Sequence, residues 1–164
     1  MSRLIRQKDF SYFIKDLLDS PVVLSMDDYI QHADVSCLEH CLFVSYLSFV
    51  ICRFLQIDEQ AAARGGLLHD LFLYDWHNKD SHDGKHGFSH AGKALNNANQ
   101  YFELSSREQD IIKKHMWPLT WRLPRYRESF VVSLVDKFCT LVEVLRLFRL
   151  VERKMQIKLN CMSI

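Results

Sequence analysis

Apolar residues recur at helical spacing along most of this chain, and several of these stretches begin with a helix-capping pattern. Ser36 followed by Glu39, and Ser105 followed by Glu108, are capping boxes, in which each side chain accepts a hydrogen bond from the other residue's backbone N–H. Asp58 is a third capping residue, placed before EQAAARGGLL. Almost no segment alternates polar and apolar residues as a half-buried strand does. The sequence therefore predicts an all-α fold.

The predicted helices follow from these caps and from the apolar periodicity. We expect helices over residues 7–18, 36–55, 58–72, 89–101, 105–116 and 128–154, with a short helical turn after Asp27. The pair Gly65-Gly66 lowers helix propensity by about 1 kcal/mol per glycine, a cost that is accepted where another backbone packs closely. Residues 75–89 are polar and contain few core-type side chains, so they are predicted to form one long loop.

Composition indicates one ordinary globular domain over residues 1–164, because 48% of 164 residues are hydrophobic and 25% are charged. A net charge of +1 gives no general attraction to nucleic acid, so a nucleic-acid partner is not expected. The five cysteines lie in helical patterns and no signal peptide precedes them, which favours reduced thiols and a cytoplasmic location. The uncharged run CLFVSYLSFVIC is too short to span a membrane, and we expect a buried core helix there.

Residues of the kind that bind metal ions occur in order within the helical patterns. They are His40, His69, Asp70, His90, His115 and Asp136. A second His-Asp pair, at residues 82–83, lies in a polar stretch, whereas His69-Asp70 closes an apolar helix and has a rigid support. Imidazole nitrogen and carboxylate oxygen together suit Fe, Mn, Co, Ni or Zn better than Mg or Ca. Taken singly, each of these residues has the alternative of being a surface or hydrogen-bonded core residue.

The string GGLLHDLFLYDW, preceded by SCLEHCLFVSYL and followed by GFSHAGKAL, IIKKHMWPL and SLVDKF, resembles the HD-domain superfamily of metal-dependent phosphohydrolases. The resemblance covers about residues 36–145 and implies a helical bundle with a central metal site. It implies that one metal ion is bound by His40, His69, Asp70 and Asp136. A second ion would be bound by His90 and His115, with Asp70 bridging the two. The chain departs from many members in having residues 71–74, LFLY, where those members have a small residue and a lysine.

The function implied by the resemblance is hydrolysis of a phosphoester or phosphoanhydride bond in a small phosphorylated metabolite or nucleotide. Two divalent transition metal ions would supply an activated hydroxide that attacks phosphorus. Asp70 would take part in catalysis, and Asp75 or His77 would protonate the leaving group. Cationic and aromatic residues, many of them in a basic run around His115, are predicted to bind the substrate. They are Lys93, Lys114, Trp117, Arg122 and Arg125.

Other interpretations of the same residues remain open. The six ligands also resemble those of HD-type diiron oxygenases, which would use iron and dioxygen within the same fold. A non-catalytic, metal-stabilised regulatory or binding module is a third hypothesis. Cys37 and Cys41 beside His40 lack two further ligands at zinc-finger spacing, so a thiolate zinc site is disfavoured. The apolar stripe in LVEVLRLFRLVERK indicates either core packing or the contact face of a homodimer.

Overall fold

The computed structural model describes residues 3–75 and 86–155 and has an all-α fold, as the sequence predicts. Within these residues there are eight α-helices, one 3-10 helix and one two-stranded antiparallel sheet. The α-helices are α1 (Arg3–Leu18), α2 (Pro21–Leu24), α3 (Cys37–Phe54), α4 (Glu59–Leu68), α5 (His86–Tyr101), α6 (Ser106–Lys114), α7 (Arg127–Val144) and α8 (Phe148–Met155). The 3-10 helix (Ser25–Asp28) and the strands β1 (Ile30–His32) and β2 (Val35–Ser36) lie between α2 and α3.

All three predicted helix caps are confirmed. The Ser36 hydroxyl accepts a hydrogen bond from the Glu39 backbone at 3.2 Å, and the Glu39 carboxylate accepts one from the Ser36 backbone at 3.1 Å. Ser105 and Glu108 make the same reciprocal pair at 3.3 and 2.6 Å. The Asp58 carboxylate accepts a hydrogen bond at 2.9 Å from the backbone three residues further on. These caps fix the starts of α3, α4 and α6, which carry or directly precede four of the predicted metal ligands.

The paired glycines of α4 allow close packing on two sides, as predicted. A Cβ atom added at Gly65 would lie 2.9 Å from the side chain of Ile111 in α6. One added at Gly66 would lie 3.0 Å from the Cα atom of Ser45 in α3. The Ser45 hydroxyl also donates a hydrogen bond to the Ala63 carbonyl at 2.6 Å. Helix α4 is thus held at short range between α3 and α6, and the end of α4 has a fixed place in the bundle.

The prediction of one helix over residues 128–154 is wrong, because the chain leaves the helix after Val144. Arg146 has a left-handed backbone with φ of 56°. The backbone N–H of Leu147 donates to the Val142 carbonyl at 2.9 Å, which is the hydrogen bond of a Schellman helix end. Glycine usually occupies the left-handed position, so an arginine there gave no warning of the break. Helix α8 can therefore turn back against the bundle.

The small sheet was not predicted, and it follows the helical turn that was expected after Asp27. That turn lies slightly earlier, as the 3-10 helix that ends at Asp28. Strands β1 and β2 pair in antiparallel register, and Ala33 in the turn between them has a φ of 53°. Two strands this short leave no alternating pattern in the sequence. Strand β1 carries the side chain of Gln31, which is buried.

Two apolar clusters form the core, and α3, α4 and α6 contribute to both. The first cluster adds side chains from α1 and α5, including Ile14 and Ala94. The second adds side chains from α7 and α8, including Val132 and Phe148. The Phe148 ring meets the Phe43 ring edge to face at 5.3 Å. Four of the six predicted ligands lie in or directly after these three shared helices.

Helix α3 is buried as predicted, although it is longer than its uncharged run. Its 18 residues and mean hydropathy of 1.4 would suit a membrane span, but 61% of it is buried inside the bundle. A core helix has these properties as well. Within the described residues the cysteines are unpaired and buried, at Cys37, Cys41, Cys52 and Cys139. Burial raises the pKa of the Cys52 thiol to about 12, so the neutral thiol is favoured there.

Candidate metal centre

Six buried side chains from five parts of the chain meet inside the bundle. None of them is more than 7% exposed. They are His40 of α3, His69 and Asp70 directly after α4, His90 of α5, His115 directly after α6, and Asp136 of α7. The structure therefore brings together every metal ligand predicted from the sequence.

Three of these residues define what we call the first metal position, namely His40, His69 and Asp136. The Asp136 Oδ1 atom lies 3.2 Å from His40 Nε2 and 3.6 Å from His69 Nε2. The ligand atoms of all three lie within 4.8 Å of one another. This is a compact set of donors that converge from α3, α4 and α7.

The second metal position is defined by Asp70, His90 and His115. The Asp70 Oδ1 atom lies 3.3 Å from His90 Nε2 and 3.4 Å from His115 Nε2. The two imidazole Nε2 atoms are 2.8 Å apart. At that distance the two rings can share one proton, and a metal ion would take the place of that proton.

Asp70 connects the two positions through its two carboxylate oxygens. Its Oδ1 atom faces His90 and His115, whereas its Oδ2 atom lies 3.5 Å from His69 Nε2. One oxygen is thus directed to each donor set. The bridging role that the HD resemblance implies for this residue stays a prediction.

The spacing of the donors suits metal ions. An ion that holds nitrogen and oxygen donors at about 2.0 to 2.2 Å keeps neighbouring donors about 3.0 to 3.5 Å apart. The donor gaps are 3.2 and 3.6 Å in the first position and 2.8 to 3.4 Å in the second. The residues present therefore could hold a metal ion, and two overlapping groups have their donor atoms close enough together, His40 with His69 and Asp136, and His69 with Asp70 and His115.

Two of the histidines are oriented by the helix that each one follows. His69 Nδ1 donates to the Gly66 carbonyl at 2.8 Å, and His115 Nδ1 donates to the Ile112 carbonyl at 2.9 Å. Both acceptors are helix-terminal carbonyls three residues back, which have no partner within the helix. With Nδ1 protonated, each Nε2 presents its lone pair to the centre. Because α4 ends at Leu68, the adjacent His69 and Asp70 can both face the centre.

Glu143 is a residue of the centre that the sequence did not indicate. Its fully buried carboxylate accepts from His40 Nδ1, with Oε1 at 2.8 Å and Oε2 at 3.0 Å. It stands two helical turns after Asp136 on α7, so both carboxylates face α3. The available signal was a second isolated acid in the apolar run that contains Asp136. Nothing in one sequence, however, says which helix that acid faces.

Gln31 is the other residue that the sequence did not indicate. Its Nε2 amide donates to Asp70 Oδ2 at 2.7 Å, and its side chain is buried. It reaches the centre only because β1 crosses beside α3, and β1 was not predicted. The Gln31 amide fixes the orientation of the carboxylate that connects the two metal positions.

Several buried polar atoms at the centre make no hydrogen bond within the described residues. They are His69 Nε2, Asp70 Oδ1 and Gln31 Oε1. Leaving a buried donor or acceptor without a partner costs about 1 to 3 kcal/mol. Three such atoms in one place are expected where a ligand completes the site.

The protonation states match what metal binding needs at most of these residues. Burial lowers the pKa of His115 to about 3, so its imidazole is neutral at pH 7. Burial disfavours ionisation of Asp70 and Asp136, but the adjacent histidines outweigh it and lower the pKa of both carboxylates well below their usual range. Burial also disfavours charge on His40, yet Asp136 and Glu143 raise its pKa well above the ordinary value. A proton on His40 offsets these carboxylates until a metal ion does so.

The predicted substrate-binding residues occupy two different regions. Lys93 lies one helical turn after His90, and its ammonium group lies 4.7 Å from the centre of the Tyr74 ring. Lys114 instead pairs with Asp110 at 2.6 Å, and the Arg125 backbone donates to Asp110 at 2.8 Å.

The remaining predicted contacts lie along the α6–α7 connection. The Trp117 ring packs edge to face on Phe130 at 5.4 Å, and Arg122 is exposed. The Arg125 guanidinium lies 5.6 Å from the centre of the Tyr126 ring. Among the described residues, no hydrogen bond or ion pair joins the side chains of Lys114, Arg122 or Arg125 to the six ligands, so their substrate role stays a prediction.

Lys137 is a cation that does lie at the centre. Its Nζ atom donates to the His115 carbonyl at 2.7 Å and to Asp136 Oδ2 at 3.2 Å, and about a third of the side chain is exposed. Asp75, a predicted general acid, is exposed at the end of the described segment, and His77 lies outside the described residues. Their roles also stay predictions.

Scans against protein-family models, curated proteins and solved structures find no match for this chain. What the fold and the site establish is a helical protein with a buried group of histidines and aspartates that could hold metal ions. Such a group is compatible with an HD-like site.

Proposed function

We propose that this protein is a metal-dependent phosphohydrolase of the HD type that acts on a small phosphorylated metabolite or nucleotide. The observation that carries the proposal is the convergence of six buried donors into two adjoining sets that share Asp70. Paired metal positions with a common carboxylate are typical of enzymes that hydrolyse phosphate esters.

The proposed cofactor is a pair of divalent transition metal ions. The mixture of four histidines and two aspartates favours Fe, Mn, Co, Ni or Zn over Mg or Ca, which prefer oxygen donors alone. Such ions, when bound, lower the pKa of water and offset the charge that develops on a phosphoryl group. The interior position of the donors suits this chemistry, because electrostatic interactions are stronger away from bulk water.

The protein's own side chains would hold the phosphate and deliver a proton. Lys137 has an ammonium group at the edge of the donor cluster, and Lys93 lies on the same helix face as His90. Both provide positive charge for phosphoryl oxygens. They would also compensate for the lysine that many HD members carry after the His-Asp pair. Asp75 and His77 remain the proposed sources of the leaving-group proton.

The proposal predicts hydrolysis that depends on Asp136. Protein freed of metal with a chelator and reloaded with Mn²⁺, Co²⁺ or Fe²⁺ should release phosphate from at least one member of a panel of nucleotides, sugar phosphates and p-nitrophenyl phosphate under anaerobic conditions. Asp136→Asn should lower kcat/KM by at least about 100-fold, because one ligand of the first metal position loses its charge. The matched control, Asp28→Asn, changes an exposed aspartate that is not one of the six ligands and should retain activity.

Two results would count against a phosphohydrolase. One is an absence of phosphate release with every metal ion tested, accompanied by oxygen uptake by the iron-loaded protein. That result would favour the diiron oxygenase. The other is equal activity in Asp136→Asn and Asp28→Asn, which would place the reaction elsewhere in the molecule.

A further inference from the structure

The solvent-facing side of α7 is apolar over most of its length. From Glu128 to Leu145, every strongly exposed side chain is apolar, and more than half of each is exposed. These side chains, which we call the α7 face, are Leu134, Phe138, Leu141, Val144 and Leu145. The sequence left core packing and a homodimer contact as the two interpretations of the stripe that starts at Leu141. Core packing does not account for the α7 face, because its side chains are exposed.

The connection between α6 and α7 continues this apolar surface at the start of α7. Three of its apolar side chains are also more than half exposed, and they are Leu119, Trp121 and Leu123. The Trp121 side chain is exposed completely. The ring of Trp117 packs on Phe130 at 5.4 Å, and Phe130 lies one helical turn before Leu134. The connection and the α7 face are therefore parts of one surface.

The exposed charges in this part of the chain are all positive. Residues 104–150 include nine lysines and arginines and five acids. All five acids are buried, and they are Glu108, Asp110, Glu128, Asp136 and Glu143. Loss of exposed acids on one side of the molecule gives that side a positive charge, although the net charge of the whole chain is only +1.

Four exposed arginines lie along the chain next to the apolar side chains. They are Arg122 and Arg125 in the connection, Arg127 at the start of α7, and Arg146 directly after Leu145. Arg127 stands two helical turns before Leu134 and so lies on the same side of α7. Among the described residues, no ion pair involves Arg122, Arg127 or Arg146. Their charges are available to a partner.

We propose that the α7 face and the α6–α7 connection dock on a membrane that contains anionic phospholipids. A helix can lie in the plane of a membrane with its apolar side at the boundary between headgroups and acyl chains. Tryptophan is enriched at that depth, and arginine forms paired hydrogen bonds with lipid phosphates. The cytoplasmic leaflet is anionic, which agrees with the predicted cytoplasmic location. The inference does not depend on the metal centre or on the proposed reaction.

A second copy of the chain is the other candidate for this surface, and the charges argue against it. A two-fold axis would bring the α7 face against itself. An arginine stands at each end of the face, so arginines of the two copies would approach each other whether the helices ran parallel or antiparallel. Residues 104–150 expose no acid that could offset them. Anionic headgroups offset these charges while the acyl chains cover the apolar side chains.

The test is co-sedimentation of the full-length protein with vesicles of phosphatidylcholine alone, or of phosphatidylcholine and phosphatidylglycerol in equal amounts. Wild-type protein should bind the anionic vesicles at least about 10-fold more strongly, and the difference should shrink as salt is raised towards about 1 M. Phe138→Glu with Leu141→Glu should weaken this binding at least about 10-fold, because two carboxylates would enter an apolar environment. Phe54→Glu, which changes an 84% exposed side chain on α3, is the matched control and should bind as wild-type protein does.

Trp121 provides a second measurement that needs no change to the α7 face. Because its side chain is fully exposed, its fluorescence should shift to shorter wavelength when anionic vesicles are added, and lipids with brominated acyl chains should quench it. Trp121→Phe should remove most of both responses. These responses decide the question even if the double variant does not fold.

Three results would overturn the inference. The first is equal binding of wild-type protein to both kinds of vesicle, or binding to neither. The second is a folded double variant that binds anionic vesicles as strongly as wild-type protein does. The third is a dimer in light scattering without vesicles that the double variant makes monomeric and that does not bind anionic vesicles, which would assign the α7 face to a second copy of the chain.

Discussion

His69 and His115 occupy the same local setting at two places in the chain. Each directly follows the last residue of a helix, and each donates Nδ1–H to the carbonyl three residues back. The sequence could identify both as ligand candidates because both have a place in the order of the HD pattern, and His69 also closes an apolar helical run. It could not identify Gln31 or Glu143, because their contacts depend on which strand or helix lies opposite. At the scale of single residues, the ligand candidates could be predicted from the sequence, but the residues that hydrogen-bond to them could not.

His115 leads to a prediction about pH. Burial lowers its folded-state pKa to about 3, whereas an unfolded histidine titrates near 6.5. Its contribution to stability is therefore complete above about pH 6.5 and is lost as the pH falls towards 3, since only the unfolded chain then takes up the proton. Between pH 6 and 4.5 the free energy of unfolding of metal-free protein should fall by about 1.4 kcal/mol per pH unit from this residue.

The measurement is urea denaturation of chelator-treated protein at several pH values between 6 and 4.5. In His115→Gln, the free energy of unfolding should fall by about 1.4 kcal/mol less per pH unit than in wild-type protein, whatever the stability of the variant at pH 7. His40 does not obscure the comparison, because its raised pKa keeps it protonated in the folded state and an unfolded histidine is largely protonated below pH 6. Equal slopes in wild-type protein and His115→Gln would show that His115 is not held neutral.

The individual helices show most clearly where sequence reasoning succeeds and where it stops. Ser36, Asp58 and Ser105 mark helix starts through interactions with residues three positions away, so these starts were predictable. The end of α7 was not, because Arg146 adopts a left-handed backbone that glycine usually supplies. The first helix begins at Arg3, and α5 begins at His86, each a few residues before the predicted start. Local caps are readable in a sequence, whereas ends imposed by packing are not.

The glycines of α4 and α5 allow a matched test of helix packing. Gly66→Ala should destabilise the protein by about 1 to 3 kcal/mol, because the new Cβ would lie 3.0 Å from backbone of α3. Gly92→Ala has nothing within 4 Å of the new Cβ and should stabilise the protein by up to about 1 kcal/mol through helix propensity alone. Denaturant unfolding of both variants measures the two effects. A stabilising Gly66→Ala would mean that α3 and α4 are not in close contact.

For the whole molecule, the metal centre is where distant parts of the chain are held together. Its ligands span positions 40 to 136 and come from or directly follow α3, α4, α5, α6 and α7. The order of these residues along the chain was sufficient to predict that they meet, because that order matches the HD pattern. The distances that divide them into two sets, and the shared position of Asp70, required the folded structure.

The most direct test of this account is the metal content of protein purified without added metal or chelator, measured by elemental analysis beside His69→Ala and His115→Ala. The account predicts about two equivalents of a transition metal per chain in wild-type protein. His115→Ala and His69→Ala should each contain less transition metal than wild-type protein. Wild-type protein that contains no transition metal and takes up none on reconstitution would contradict the account, because the buried histidines and aspartates would then be a hydrogen-bonded core alone.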